Sequence, residues 1–354
     1  MVHLTSRLRL LVCLLTVICA LAVACAPVAA PPPANTPATS LPAPTTTPPS
    51  PTAVPTATSA ASAIANPTAT GASASTTFPV TVTDDVGRKV TFSSAPQRII
   101  SLSPGHTETL YALGAGDRVI VTDQYSDFPA ENQAKAKLNT YPKPNVEELV
   151  SLKPDLIVVL VEGDDFIQQM DGQKIPILKI FPKTFDDALK DILLLGQVTG
   201  TTPKAEQITA NMRERSAAVT AKTKDAPKVS VLYELDASDA TKPFVAGPAG
   251  FFGSLVPLAG GKNVFDDLGQ PSGQVSSEQI VSRNPDIIIL GDSNAPFNAQ
   301  TPDLVRARSG WNQINAVKNG RIYPLNDALL TRPGPRLIDG LEQMAKIIHP
   351  ELFP

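Results

Sequence analysis

The stretch VEELVSLKPDLIVVL (Val146–Leu160) recurs as SSEQIVSRNPDIIIL (Ser276–Leu290). Each copy reads acid, apolar pair, serine, then Pro-Asp and an unbroken apolar run, with Glu147 or Glu278 seven residues before Pro154 or Pro285. Asn145 followed by Glu148 predicts an N-cap of capping-box type, and Ser276 followed by Gln279 predicts the same arrangement. A short helix then ends at the Pro-Asp turn, and LIVVL or IIIL enters as a strand buried on both faces. Apolar runs alternating with helices build parallel sheets covered by helices.

A second echo extends the pattern. LYALGAGDRV (Leu110–Val119) matches LVPLAGGKNV (Leu255–Val264), and KVSVLYEL (Lys228–Leu235) takes the part of RIISL (Arg98–Leu102). Two matches in the same order predict an α/β protein of two similar lobes with parallel-type sheets, over roughly 95–182 and 226–326. Phe78–Phe92 alternates apolar and polar residues around Asp85–Gly87, a hairpin signal. After RIISL, Ser103 or Thr107 caps a helix that Gly114 and Gly116 end, and VIVT (Val119–Thr122) is the next strand. Between the lobes, Phe185–Gly200 precedes Pro203–Asp225, which has proline near its first turn and no glycine. About 20 such residues make a helix roughly 30 Å long, so one stiff helix joins the lobes and permits only a small hinge motion.

The N-terminus is of another kind. Arg7 and Arg9 precede an apolar run, Leu10–Ala24, that ends at Cys25. This is an export leader, 1–24, and is shorter than the roughly 20 apolar residues that span a bilayer. Leu21–Cys25 resembles a bacterial lipobox with alanine in place of leucine three residues before the cysteine. Of three cysteines, Cys13 and Cys19 leave with the leader, so Cys25 has no internal disulfide partner and is the expected lipidation site. Ala26–Thr77 has no charged residue and is mostly Pro, Thr, Ala and Ser, so 25–77 reads as a lipidated cysteine and a disordered tether. The remaining divisions are an N-terminal lobe over 78–183, connecting helices over 184–225, and a C-terminal lobe with a closing helix over 226–354.

The chain carries 30 basic and 33 acidic residues, a net charge of −3. Loss of Arg7 and Arg9 with the leader makes it −5, and no basic block is present, which excludes nucleic acid as the expected partner. No G-x-S-x-G elbow, P-loop, dinucleotide fingerprint or cysteine nucleophile occurs, so an enzyme is not expected. After the leader only His106 and His349 remain, too few for a His-rich zinc or manganese site.

RIISLSPGHTETLYALGAGDRVI, YSDFP, NVEELVSLKPDLIVV, LAGGKNVF and QVSSEQIVSRNPDIIIL together resemble the class III substrate-binding lipoproteins of ABC importers, which bind cobalamin, haem and ferric siderophores. The resemblance covers essentially Phe78–Pro354 and implies a small-molecule ligand held between the lobes. Loops at strand ends would line that cleft. They are 103–107, 125–129, Tyr141, 162–164, 233–236, 269–274 and 327–336. The cobalamin-binding branch is most similar at Tyr125, Tyr141, and the Asp327 and Arg332 pair; where it carries tryptophans, this chain has Leu160 and Ser272. Ser103 and Tyr233 are further candidate contacts. Arg332 and Arg336 suit a ligand carboxylate or phosphate, or else a structural ion pair with Asp327 or Asp339. His106, Tyr125, Tyr141 and Tyr233 offer axial ligands to a haem iron, although a histidine in a helix-start loop such as His106 is more often a polar cap or surface residue.

Glu147 and Glu278 match the glutamates, one per lobe, that dock this family on its permease dimer. The resemblance implies no cofactor of the protein's own, since any cobalt or iron belongs to the ligand. It implies a monomer that is exported, lipid-anchored on the outer face of the cytoplasmic membrane, and partnered by a permease dimer with its ATPase.

Overall fold

The computed structural model describes residues 76–354 apart from 142, 161, 162, 296, 297 and 326. The leader, Cys25 and nearly all of the tether lie outside the described residues. A hairpin of β1 (Val80–Thr83) and β2 (Lys89–Phe92) opens the described chain, in register Val80 to Phe92. The first lobe then runs β3 (Ile99–Ser101), α1 (Pro104–Ala112), β4 (Val119–Asp123), β5 (Ala136–Leu138), α2 (Val146–Ser151), β6 (Leu156–Val159), α3 (Asp164–Gly172) and β7 (Ile177–Lys179). Its sheet has the order β5-β4-β3-β6-β7, and every pairing is parallel. All four residues of β6 are buried, as a strand covered on both faces requires.

Two helices, α4 (Phe185–Thr199) and α5 (Thr202–Thr223), lead to the second lobe. The turn between them uses Gly200 at φ 72°, a left-handed position that glycine takes without steric cost. The 22 residues of α5 span about 33 Å. They carry the closing helix α11 (Leu337–Ile348), where Arg215 donates to Asp339 and Glu342 at 2.6 Å each.

The second lobe runs β8 (Val229–Asp236), β9 (Phe244–Ala246), α6 (Phe251–Leu258), β10 (Gly261–Asn263), β11 (Ser272–Gln274), α7 (Ser277–Arg283), β12 (Ile287–Leu290), two short helices α8 (Pro302–Arg306) and α9 (Asn315–Lys318), β13 (Ile322–Pro324) and α10 (Asp327–Leu330). β10, β8, β12 and β13 pair in parallel and reproduce the places of β4, β3, β6 and β7. The sheet is nonetheless mixed, because β9 and β11 add antiparallel pairings. The cause is local. Asp239 accepts from the N–H and hydroxyl of Thr241, closing a tight turn that sends the chain straight back along β8.

The repeated stretches occupy matching places as α2–β6 and α7–β12, and the structure shows what their Pro-Asp does. Lys153 and Asn284, each just before the proline, both turn through left-handed backbone at φ 49° and 47°. Asp155 then accepts the N–H groups of Gln97 and Arg98 at 2.7 and 2.8 Å. Asp286 likewise accepts from the Ser230 hydroxyl at 2.7 Å and its N–H at 3.3 Å. Each aspartate clips the start of its own strand to the start of the lobe's central strand. The caps also form, with one difference. Ser276 and Gln279 make a full capping box, whereas Asn145 alone caps α2 by accepting from Glu147 and Glu148.

Candidate functional site

The C-terminal ends of β6 and β7 face the N-terminus of α6 across a cavity of about 430 Å³. From the first lobe come Leu160 and Phe181–Lys183; from the second come Ala249–Phe252, Pro271, Ser272, Thr331 and Pro333. Hydrocarbon dominates this wall, and Lys183 is its single ionisable side chain among the described residues. Leu160 and Ser272, where the resemblance places tryptophans, both line it.

Local chemistry fixes the aromatic part of the wall. Asp85, at the hairpin turn, accepts the N–H of Phe181 at 2.6 Å and anchors the segment from which that ring stands out, 46% exposed. Nearby Asp191 has its carboxyl pushed up to about 8 by burial and by the charges of Asp85 and Asp187, so it is held protonated at neutral pH. On the other side, a Cβ at Gly250 would lie 2.4 Å from the Pro271 carbonyl oxygen, so only glycine permits that close approach. The approach starts α6 with Phe251 and Phe252 at the cavity. Their rings meet edge to face at 5.9 Å, and Phe252 stacks on Tyr233 at 5.8 Å. The expectation that Tyr233 contacts ligand is therefore corrected: it lies fully buried in β8, behind Phe252.

The segment 331–336 crosses from the second lobe onto the first, and both of its arginines meet acids there. Arg332 pairs with Asp127, whose carboxyl this hydrogen bond holds below its usual range. Arg336 donates from its backbone N–H and its Nε to the two oxygens of Glu108, at 3.0 and 2.9 Å. Its guanidinium also stacks 3.6 Å from the centre of the Phe128 ring. Both arginines are thus committed to acids of the opposite lobe. Asp339, a partner expected for them, is taken instead by Arg215.

The other candidates divide. Ser103 holds the N-cap position of α1, but its hydroxyl is buried and makes no hydrogen bond among the described residues. His106 is 1% exposed with neither ring nitrogen hydrogen-bonded among the described residues, and burial lowers it to about 3. A neutral imidazole so enclosed does not reach a ligand, so its reading as an axial donor is corrected. Tyr125 and Tyr141 are 57% and 76% exposed on first-lobe loops, outside the cavity wall. Asp327 opens α10, and its side chain lies outside the described set, as does Glu162. Glu147 and Glu278 are exposed on the first turns of α2 and α7 and make no ion pair among the described residues. The Glu278 carboxyl is lowered by its own N–H and the Ser276 hydroxyl, so it leans on the helix start.

Sequence reasoning passed over Phe181, Lys183, Phe251, Phe252 and Glu108, and took Asp127 only as part of the 125–129 loop expected to line the cleft. One signal was present: two adjacent phenylalanines stand between glycines in GPAGFFG, at the start of a short helix.

Comparison with known proteins agrees with this architecture. Residues 99–329 match the family described as periplasmic binding protein. An uncharacterized ABC transporter substrate-binding lipoprotein of Bacillus subtilis, YvrC, is 33% identical over 285 residues, covering 78% of this chain and 87% of that protein. A cobalamin-binding protein of Halobacterium salinarum is 29% identical, with 77% and 74% of the two chains covered. The crystal structure of the periplasmic vitamin B12-binding protein BtuF of Vibrio cholerae superposes with a TM-score of 0.62 at 26% identity, covering 72% of this chain and 96% of that one. With two α/β lobes, a linking helix and a cleft at the strand ends, this chain belongs to the periplasmic binding protein family.

Proposed function

We propose that this protein is the extracytoplasmic solute-binding component of an ABC importer, and that it holds a corrinoid between its lobes for delivery to a permease dimer. The observation that carries the reading is the cleft itself. An apolar, aromatic-walled cavity at the strand ends suits one face of a flat macrocycle. Relatives named for cobalamin or vitamin B12 binding support the same class. A ferric siderophore is less well served, because a highly anionic chelate calls for free guanidinium groups and Arg332 and Arg336 are already paired. Haem loses its histidine ligand with the burial of His106, leaving Tyr125 and Tyr141 as the exposed donors.

Glu147 and Glu278 serve as the permease contacts in this reading. Cys25 carries the lipid, and the tether holds a monomeric binding domain near the outer face of the membrane. The lipoprotein name of the Bacillus relative supports the anchor. Among the described residues no helix is long and apolar enough to cross a membrane.

Replacing Phe181 by alanine tests the cleft, since the ring is exposed and its loss leaves the core intact. Corrinoid affinity is expected to fall about tenfold, or about 1.4 kcal/mol, with an unchanged melting temperature. Titration giving wild-type affinity for F181A would place the ligand elsewhere.

A further inference from the structure

The cleft separates its apolar wall from its charge. Among the described side chains at the cavity, Lys183 alone is ionisable, and it stands exposed on the first-lobe rim beside Phe181. Its neighbouring acid does not neutralise it. The Asp187 carboxylate is occupied by Lys190 Nζ at 2.8 Å, the Thr184 hydroxyl at 2.8 Å and the backbone N–H of Lys183 itself at 3.3 Å. The Lys183 ammonium makes no ion pair among the described residues. The nearby guanidinium groups are held by Asp127 and Glu108. Among the described residues, Lys183 is therefore the uncommitted cation at this cavity.

We infer that Lys183 binds an anionic substituent of the ligand, a phosphodiester or a carboxylate, and so sets the specificity of the cleft. The inference rests on the reading of this cavity as the ligand site. A cation beside a low-dielectric wall attracts an anion more strongly than an isolated surface lysine does, because less water screens it. An ammonium on a flexible stem also accepts an anion without fixed geometry. A ligand lacking the anion would make the same apolar contacts and forgo this one.

The test is equilibrium titration of wild type, K183M and K183R with three probes: cobalamin, which carries a phosphodiester; cobinamide, which lacks it; and haemin, which carries two carboxylates. The expected result is that wild type prefers an anionic probe and that K183M weakens that probe about tenfold. K183M should leave cobinamide within about twofold, and K183R should restore most of the loss. A cobalamin-only effect assigns the phosphodiester, and a haemin-only effect assigns the carboxylate. Equal effects on all probes, no effect on any, or binding of cobinamide alone would overturn the role of Lys183 while leaving the cleft as the site. Failure of wild type to bind any probe would overturn the cleft reading, and the inference with it.

Discussion

Reversing both Glu147 and Glu278 to arginine is expected to abolish ligand uptake while leaving ligand affinity within about twofold. The two carboxylates stand on matching helices of two lobes, exposed and without an ion pair among the described residues. Neither lines the cleft. A protein with this internal repeat can present the same acid to each half of a twofold permease, and placing like charges in such a contact costs several kcal/mol. The competing role is local, because an acid in the first turn favours its own helix by about 0.3–1 kcal/mol. Glu278 partly plays that role, since its carboxyl leans on the Ser276 hydroxyl and its own N–H. The two roles separate experimentally. A helix-only role predicts a slightly lower melting temperature and normal uptake; docking predicts lost uptake and lost permease pull-down with ligand still bound. Normal uptake by the double mutant would sink the docking assignment.

Arg336→Ala is expected to destabilise the domain by about 3–5 kcal/mol, because it strands a buried charge. Glu108 has only 3% of its side chain exposed, and its carboxylate accepts from both the backbone and the guanidinium of Arg336. Alanine keeps the backbone hydrogen bond but removes the compensating charge and the stack on Phe128. The combined E108Q/R336M variant removes the charge with its partner and should recover much of the loss. Urea unfolding of the singles and the double reads the coupling directly. A loss under about 1 kcal/mol for R336A would show that the inter-lobe clamp contributes little. The clamp matters for function because segment 331–336 also supplies Thr331 and Pro333 to the cleft wall.

Features set by local chemistry were legible before any coordinates. The doubled stretch located β6 and β12 beside the two central strands, the Asp85–Gly87 signal located the hairpin, and the glycine-free run from Pro203 located the linking helix. The places that escaped are those where distant segments decide. Arg336 and Glu108 are 228 residues apart in the chain, so no local pattern pairs them. Tyr233 looks like an available ring in KVSVLYEL, yet β8 is buried on both faces there and Phe252 stacks over the ring. His106 follows a helix-start proline and glycine, a setting that usually leaves a polar side chain wet, but the fold closes over it. β9 was hidden because a three-residue antiparallel strand behind a turn carries too little periodicity to announce itself.

Capture of a corrinoid in the inter-lobe cleft is tested most directly by thermal unfolding of the tether-free domain with cobalamin, cobinamide, haemin and ferric siderophores. A ligand at 100 times its dissociation constant adds about 2.7 kcal/mol of stability, which raises the melting temperature by roughly 5 °C for a domain of this size. The account predicts that shift for a corrinoid and a smaller one, or none, for the siderophores. A flat melting temperature with both corrinoids would contradict it.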